Sequence, residues 1–207
     1  QTSIPTLVNM DAQSLVFDDS TLFEWNKFSG YDRFETGTRI NYGAQATLNF
    51  ANGGFINTMI GQSQQIIGDN AYASADAANV GLASGLNTRV SDIVGRTTIA
   101  PASFLTFTAK GRFANSNFNP RRIDLISSLK LNPLTINIQY ANYIQQPQIG
   151  FEYRRQGLMT SAFWDITKNY FVNGSVTFDM SRGGAYDVLY TATKSAQNSW
   201  FASAMYG

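Results

Sequence analysis

From Gly37 onward the chain alternates between apolar and polar positions. Ile40, Tyr42, Ala44, Ala46, Leu48 and Phe50 stand against Arg39, Asn41, Gly43, Gln45, Thr47 and Asn49. The period is two rather than 3.6, the mark of an extended strand with one apolar and one polar face. The pattern returns in Leu105, Phe107, Ala109, Gly111 and Phe113 against Thr106, Thr108, Lys110 and Arg112. It returns again in Ile123, Leu125, Ser127, Leu129 and Leu131 against Arg122, Asp124, Ser128 and Lys130, with Ile126 as the exception. Leu134, Ile136, Ile138 and Tyr140 form a further copy, as do Tyr170, Val172, Gly174, Val176 and Phe178. Strands are therefore predicted at 37–50, 55–66, 86–99, 104–114, 122–131, 134–144, 158–166, 170–180, 186–195 and 199–207. Two are weakly patterned: Phe55 to Ile66 carries apolar residues on both faces, and the phase of Leu86 to Ile99 is ambiguous around Asp92, Ile93 and Val94.

The connections say more than the strands. Turn-forming residues mark tight turns at Ala51 to Gly54, Ala100 to Ser103, Asn132-Pro133, Thr167 to Asn169 and Ala196 to Asn198. Between them lie longer connections at 67–85, 115–121, 145–157 and 181–185. Alternation of short and longer connections is what an up-and-down membrane barrel, with tight periplasmic turns and longer outer loops, requires. The expected fold is all-β: a transmembrane antiparallel up-and-down β-barrel, with about ten strands of a larger barrel. Residues 1–36, which show no sustained period, are read as an outer loop segment leading into the barrel, and 37–207 as a partial barrel. Phe50, Phe55, Phe104, Trp164, Tyr170, Tyr186, Tyr190 and Trp200 gather near strand ends. They suit an interfacial aromatic girdle; the alternative is that they plug a soluble β core.

Composition narrows the classes. Of 207 residues 14% are charged, against roughly 25% in an ordinary soluble domain, as expected if alternate strand positions face lipid. The formal net charge of +1 exerts no sequence-wide pull on nucleic acid. Histidine and cysteine are both absent, which removes Ser-His-Asp and Cys-His catalysis, thiol chemistry, His- or Cys-based zinc sites and internal disulfides. An enzyme is not expected, nor is a cofactor. No apolar run approaches the roughly 20 residues of a transmembrane helix.

The polar strand faces carry Arg39, Lys110, Arg112, Arg122, Asp124, Lys130 and Asp179, the candidate lumen-lining residues. Lys110, Arg112 and Arg122 would suit the path of a phosphorylated sugar, since charge is tolerated in a wet lumen. Alternatively, Asp124 simply pairs with Arg112 or Arg122 across neighbouring strands. Asp18-Asp19, and Asp32 with Glu35, are expected in a polar loop as solvated charge or loop hydrogen-bonding groups. Gly53-Gly54 and Gly183-Gly184 read as turn glycines rather than phosphate cradles. The stretch Gly68 to Ser84 reads as a surface loop, because Asp69 and Asp76 lack calcium-loop spacing. No metal site or catalytic residue is proposed.

One set of motifs is more specific. Leu15-Val16-Phe17-Asp18-Asp19, Leu22-Phe23, Phe28-Ser29-Gly30-Tyr31-Asp32-Arg33, Gly37-Thr38-Arg39, Tyr42-Gly43 and Gly61-Gln62-Ser63 closely resemble the LPS-assembly protein family (LptD, also called OstA), an outer-membrane lipopolysaccharide translocon. The similarity extends through Arg112-Phe113 and Tyr140-Ala141-Asn142-Tyr143. It implies location in the cell outer membrane of a Gram-negative bacterium. It further implies lipopolysaccharide transport and assembly, by conduction through the barrel lumen and lateral release into the outer leaflet. The partners implied are lipopolysaccharide, membrane lipid, a plug lipoprotein (LptE-like) in the lumen and a periplasmic bridge protein (LptA-like) reached through a jellyroll. Energy would come from a distant inner-membrane ATPase. Phe28, Ser29, Gly30, Tyr31, Asp32 and Arg33 would form an outer loop with a structural or gating role. The absence of cysteine departs from members whose disulfides tie jellyroll to barrel. The chain is expected to be a later portion of such a barrel, with the jellyroll, the lateral gate and the periplasmic groove outside it. A general porin or uptake channel of the outer membrane is the alternative; an enzyme barrel or a soluble β-sandwich is further off.

Overall fold

The structure is a computed structural model that describes residues 17–28, 34–73, 81–167, 170–181, 185–193 and 201–206, with side chains described only as far as residue 181 and not at Ile149. Its strands are β1 (Thr38–Asn49), β2 (Phe55–Ile67), β3 (Ile93–Ala102), β4 (Leu105–Phe113), β5 (Pro120–Leu131), β6 (Leu134–Tyr143), β7 (Arg155–Thr167), β8 (Tyr170–Asp179), β9 (Ala185–Thr193) and β10 (Phe201–Tyr206). They form one antiparallel sheet in sequence order, each paired with the next, and among the described residues β1 and β10 are open edges. The up-and-down arrangement expected from the connections is thus observed. β1 to β9 have 9 to 13 residues each, close to the roughly 9–11 that cross a bilayer at a tilt. No described helix is long and apolar enough to cross a membrane.

Pairing register turns the period of two into two continuous faces, because a residue and its cross-strand partner point the same way. One row runs Leu48, Ile56, Ile99, Phe107, Ser127, Ile138, Thr160, Val176. The next runs Ala46, Thr58, Thr97, Ala109, Leu125, Tyr140, Leu158, Phe178. Leu48, Ile99, Phe107, Leu125 and Ile138 are all exposed on this face. A soluble sheet would have to cover such a surface; hydrocarbon covers it in a membrane barrel. The opposite face is polar, with rows such as Val94, Arg112, Arg122, Tyr143, Arg155 and Arg96, Lys110, Asp124, Ala141, Gly157, Asp179.

Phe50, Phe104, Trp164 and Tyr170 cluster at the short-turn end and are exposed. They do not plug a core, which removes the soluble-core alternative for these rings. Tyr186, Tyr190 and Trp200 have side chains outside the described residues. The buried core is small and lies on the polar face, where Phe17, Leu22, Phe28, Met59, Tyr72, Leu86 and Val94 pack together. Met59 explains the two-faced apolar pattern of β2: one apolar set faces outward, and Met59 receives a covering loop.

Three expectations change. β3 begins at Ile93, not Leu86, because 86–92 belongs to a folded connection. Leu86 is fully buried in the core cluster, Gln65 N donates to Arg89 O at 2.8 Å, Ser91 N to Ser63 O at 2.8 Å and Asp92 N to Gly85 O at 2.8 Å. Those bonds attach 89–91 to the end of β2 as an irregular extension, which accounts for the ambiguous phase. The following turn falls at 103–104, not 100–103: Ala102 pairs with Leu105, and a register shift between Ile99 and Ala102 places Pro101 at a bulge, where a strand tolerates its missing N–H. Finally, 68–73 and 81–84 are not a plain surface loop, since Tyr72 and Ser84 are buried against the polar face. The alternation of short and longer connections holds through 180–184, but 194–200 is then longer than its predecessor. The turn positions 168–169 and 196–198 and the glycines Gly183-Gly184 lie outside the described residues.

The two-faced sheet makes a direct prediction. Leu125→Arg, on the apolar face, should destabilise the barrel in lipid by about 2–4 kcal/mol, whereas Ile126→Arg, one residue on and on the polar face, should change it by much less. Reversible urea unfolding in vesicles measures both; equal losses would contradict the assignment of faces.

Candidate functional site

Residues 17–28 contain no strand, yet they pack onto the polar face, with Phe17, Leu22 and Phe28 buried in its core cluster. Asp18 starts a tight turn: its Oδ1 accepts from Ser20 N at 2.8 Å, Ser20 Oγ at 2.6 Å and Thr21 N at 3.3 Å, and its carbonyl accepts from Leu22 N at 3.1 Å. Burial by itself pushes the Asp18 carboxyl up, but the bonds from Ser20 and Thr21, with the Lys110 charge, hold it below the usual carboxylate value. The turn aims Asp19 down onto the sheet. Its carboxylate lies 3.1 Å from Arg96 Nη1 on β3 and 3.0 Å from Lys110 Nζ on β4, and is almost fully buried. The loop-hydrogen-bond expectation describes Asp18; Asp19 is not solvated, because two strand cations lie directly beneath it.

Leu22 follows into a slot made by absent side chains. Gly43 and Gly61 face each other across β1 and β2. A Cβ on Gly61 would sit 2.3 Å from Leu22 Cδ2, and one on Gly43 would sit 3.4 Å from Phe23 Cζ. The Leu22-Phe23, Tyr42-Gly43 and Gly61-Gln62-Ser63 motifs therefore share one cause: a knob and the bare backbone that admits it. Gly37 answers a different demand, with φ of +76° and Ile67 O only 2.3 Å from where its Cβ would be.

The segment closes on an ionic knot. The Lys27 side chain is wholly buried; Nζ donates to Glu35 Oε1 at 3.0 Å and to Glu24 O at 3.1 Å. Glu35 also lies 3.7 Å from Arg39 Nε, so it is a half-buried ion-pair partner and not a solvated loop acid. Arg39 sits over the Tyr72 ring at 5.4 Å and donates to Asn70 Oδ1 at 3.0 Å, while Phe28 stacks with the same ring at 4.5 Å. Burial first, then the Glu35 charge, pushes the Tyr72 hydroxyl well above the ordinary tyrosine range. Of the predicted loop motif only Phe28 is described, and it serves as this packing element; Ser29, Gly30, Tyr31, Asp32 and Arg33 lie outside the described residues.

All seven charged residues singled out from the sequence fall on the polar face by register, but they do not form one centre. Arg39 belongs to the Tyr72 knot and Lys110 to Asp19. Arg112 donates to the carbonyls of Ser84 and Ala83 and lies 3.4 Å from Asp92. Asp124 is paired with Arg122 at 2.5 Å, along its own strand and not across to a neighbouring one; Lys110, its opposite number, is drawn to the loop instead. Lys130 is exposed beside the short turn, and Asp179 Oδ1 caps Ser181 N at 2.8 Å near the long-connection end. Sequence reasoning missed Arg155, which packs 3.5 Å from the Phe151 ring centre and donates to Gln146 Oε1 at 2.8 Å. It also missed Tyr143, held between Arg122 and Arg155 at 4.9 and 5.2 Å. Their interrupted alternation beyond Tyr143 hid both. Among the described residues no group of acids could hold a metal ion.

An open, up-and-down antiparallel sheet with an exposed apolar outer face, a polar inner face and a chain segment packed on that inner face is part of an outer-membrane β-barrel. The family profile of LPS transport system D, LptD, matches residues 1–170, and the chain belongs to that family. It is a family of lipopolysaccharide transport proteins of the Gram-negative outer membrane, not an enzyme family. No curated protein matches the chain.

Two outcomes follow for the docked segment. Gly61→Val should expel Leu22; losing about 1.5–3 kcal/mol of burial raises the undocked population roughly tenfold or more. Tryptic cleavage after Lys27 should accelerate by that factor, while Gly174→Ala, with nothing within 4 Å of the new Cβ, should leave it unchanged. The second concerns pH. Because the folded Asp18 value is depressed below its ordinary 3.8, its contribution to docking is fully present above that pH and is lost as pH falls through the folded value. Amide exchange at Leu22 should therefore stay slow from pH 7 to about 4 and accelerate below it, and Asp18→Asn should remove the step.

Proposed function

We propose that this chain is a later portion of the lipopolysaccharide-export barrel, conducting lipopolysaccharide along its polar inner face and releasing it laterally into the outer leaflet. The observation that carries the reading is the pairing of family membership with a sheet of two solvents: one face suits acyl chains and membrane lipid, the other suits a sugar-bearing, phosphorylated headgroup. The seven charged positions, Arg39, Lys110, Arg112, Arg122, Asp124, Lys130 and Asp179, line the lumen on this reading, largely neutralised by internal pairing so that a polyanion is neither repelled nor trapped.

The segment 1–36 acts as an outer loop folded over that lumen, with Phe28 to Arg33 in a structural or gating role. An LptE-like lipoprotein plugs the lumen and an LptA-like bridge protein delivers the substrate through a jellyroll elsewhere in the protein. The open edges of β1 and β10 pair with further strands, since an unpaired edge leaves backbone donors and acceptors with no partner in hydrocarbon. The reaction is transport with no bond chemistry.

Depletion of the full-length protein should lower lipopolysaccharide at the cell surface, read by labelling intact cells. Unchanged surface lipopolysaccharide would sink the export reading. In planar bilayers the plugged barrel should pass little steady current; a large steady conductance would instead identify a diffusion channel.

A further inference from the structure

The long connections wall an open cavity at the end of the sheet. It has a volume of about 830 Å³ and lies at the long-connection rim, walled by 83–92, 114–116, 121 and 144–148. That volume falls within the range of small-molecule and saccharide-sized sites. The walls are fastened to one another and to the sheet. Arg112 holds the carbonyls of Ala83 and Ser84, Gln146 Nε2 donates to Ala83 O at 3.1 Å, and Arg155 grips Gln146 from β7.

The charge inside is unbalanced. Three guanidinium groups, Arg89, Arg112 and Arg121, line the cavity with a single carboxylate, Asp92. Asp92 is committed to Arg112, at 3.4 Å. Burial pushes the Asp92 carboxyl up, with Arg112 and then Arg121 opposing that rise. Arg89 uses Nε on Gln65 O at 3.3 Å, and Arg121 acts on the Asp92 charge whose ion pair is with Arg112. Both are exposed to the cavity mouth.

Arg121 stands there because of a bulge. Arg112 pairs with Arg122 but Phe113 pairs with Pro120, so Arg121 is the extra residue, and bulges re-aim a side chain at sheet rims. The rest of the lining is rich in neutral hydrogen-bonding groups, among them Asn87, Thr88 and Gln145. Two planar cations outside any ion pair, with amides and hydroxyls around them, match a sugar ring bearing phosphate or carboxylate: guanidinium forks take the anion in bidentate fashion, and neutral groups take the hydroxyls.

We propose that this cavity is a binding site for an anionic saccharide, with Arg89 and Arg121 holding its phosphate or carboxylate groups at the outer rim of the barrel. It rests on the export reading for the identity of its ligand, the phosphorylated core of lipopolysaccharide. Bound there, the saccharide leaves the lumen with its charged rings held at the level of the long connections while its lipid part moves sideways.

The test uses the full-length protein with its co-purifying partner in detergent. The probe is the delipidated, phosphorylated core oligosaccharide released from lipopolysaccharide by mild acid, followed by calorimetry. The oligosaccharide should bind, Arg89→Ala with Arg121→Ala should weaken it at least tenfold, and phosphatase treatment of the probe should weaken it comparably. Arg89→Lys with Arg121→Lys should recover part of the loss, which separates lost charge from lost folding. Binding that neither the alanine pair nor phosphatase alters would overturn the proposal, as would failure of the oligosaccharide to bind. Inorganic phosphate that competes at the same concentration as the oligosaccharide would overturn the saccharide assignment. No binding, with surface lipopolysaccharide still lost on depletion, removes the site alone. Arginine-dependent binding with surface lipopolysaccharide unchanged on depletion removes the export reading and keeps the site.

Discussion

Every strand that crosses hydrocarbon must give its backbone N–H and C=O groups to a neighbouring strand, because no water is present to take them. Each strand here is paired with the next in sequence order, and everything else in the molecule follows from that ladder. Pairing sets register, and register makes the period of two into two faces of opposite character. On the outer face Leu48, Leu125 and Ile138 remain exposed without needing a protein cover. The inner face gathers charge from several strands, and the protein must then manage that charge.

The management is done by chain that is not strand. Asp19 descends onto Arg96 and Lys110, Glu35 joins Lys27 to Arg39, and Ser84 and Ala83 turn their carbonyls to Arg112. Each of these cations is met by a group from a connection, and Arg39 and Arg96 also donate to Ser63 Oγ and Asn57 Oδ1 on the facing strand β2. Burying an unpaired charge would cost several kcal/mol, so connection and sheet require each other. Apolar packing makes the fit specific: Leu22 enters over Gly61, and Phe28 and Tyr72 stack above Arg39. Covered in this way, the polar face keeps most of its strand cations paired, while Arg89 and Arg121 stand exposed at the long-connection rim.

Much of this was legible in the sequence. Period two located the strands because side-chain direction in a strand is dictated locally, and connection length located the two ends of the barrel because tight turns need particular residues. The seven polar-face charges were legible for the same reason. Their partners were not. Asp124 was expected to reach across to Arg112 or Arg122, and it takes Arg122 on its own strand because Lys110 opposite has already been claimed by a loop residue far away in the chain. Residues 86–92 mimic a strand because Leu86 is apolar, yet that side chain faces a core made by other connections. The role of Gly61 could be recognised as a motif but understood only once Leu22 was seen above it. Interactions set by neighbours in sequence could be read; those set by long connections folding back could not.

The central claim is that the polar inner face, not the apolar outer face, meets lipopolysaccharide. A photo-crosslinking amino acid placed at Gln139 and, separately, at Ile138 tests it most directly, because these adjacent residues point to opposite faces of β6. In growing cells expressing the full-length protein, irradiation should yield a lipopolysaccharide adduct at 139 that disappears when cellular ATP is depleted, while any adduct at 138 should be indifferent to ATP. An ATP-dependent adduct at 138 with none at 139 would contradict the account.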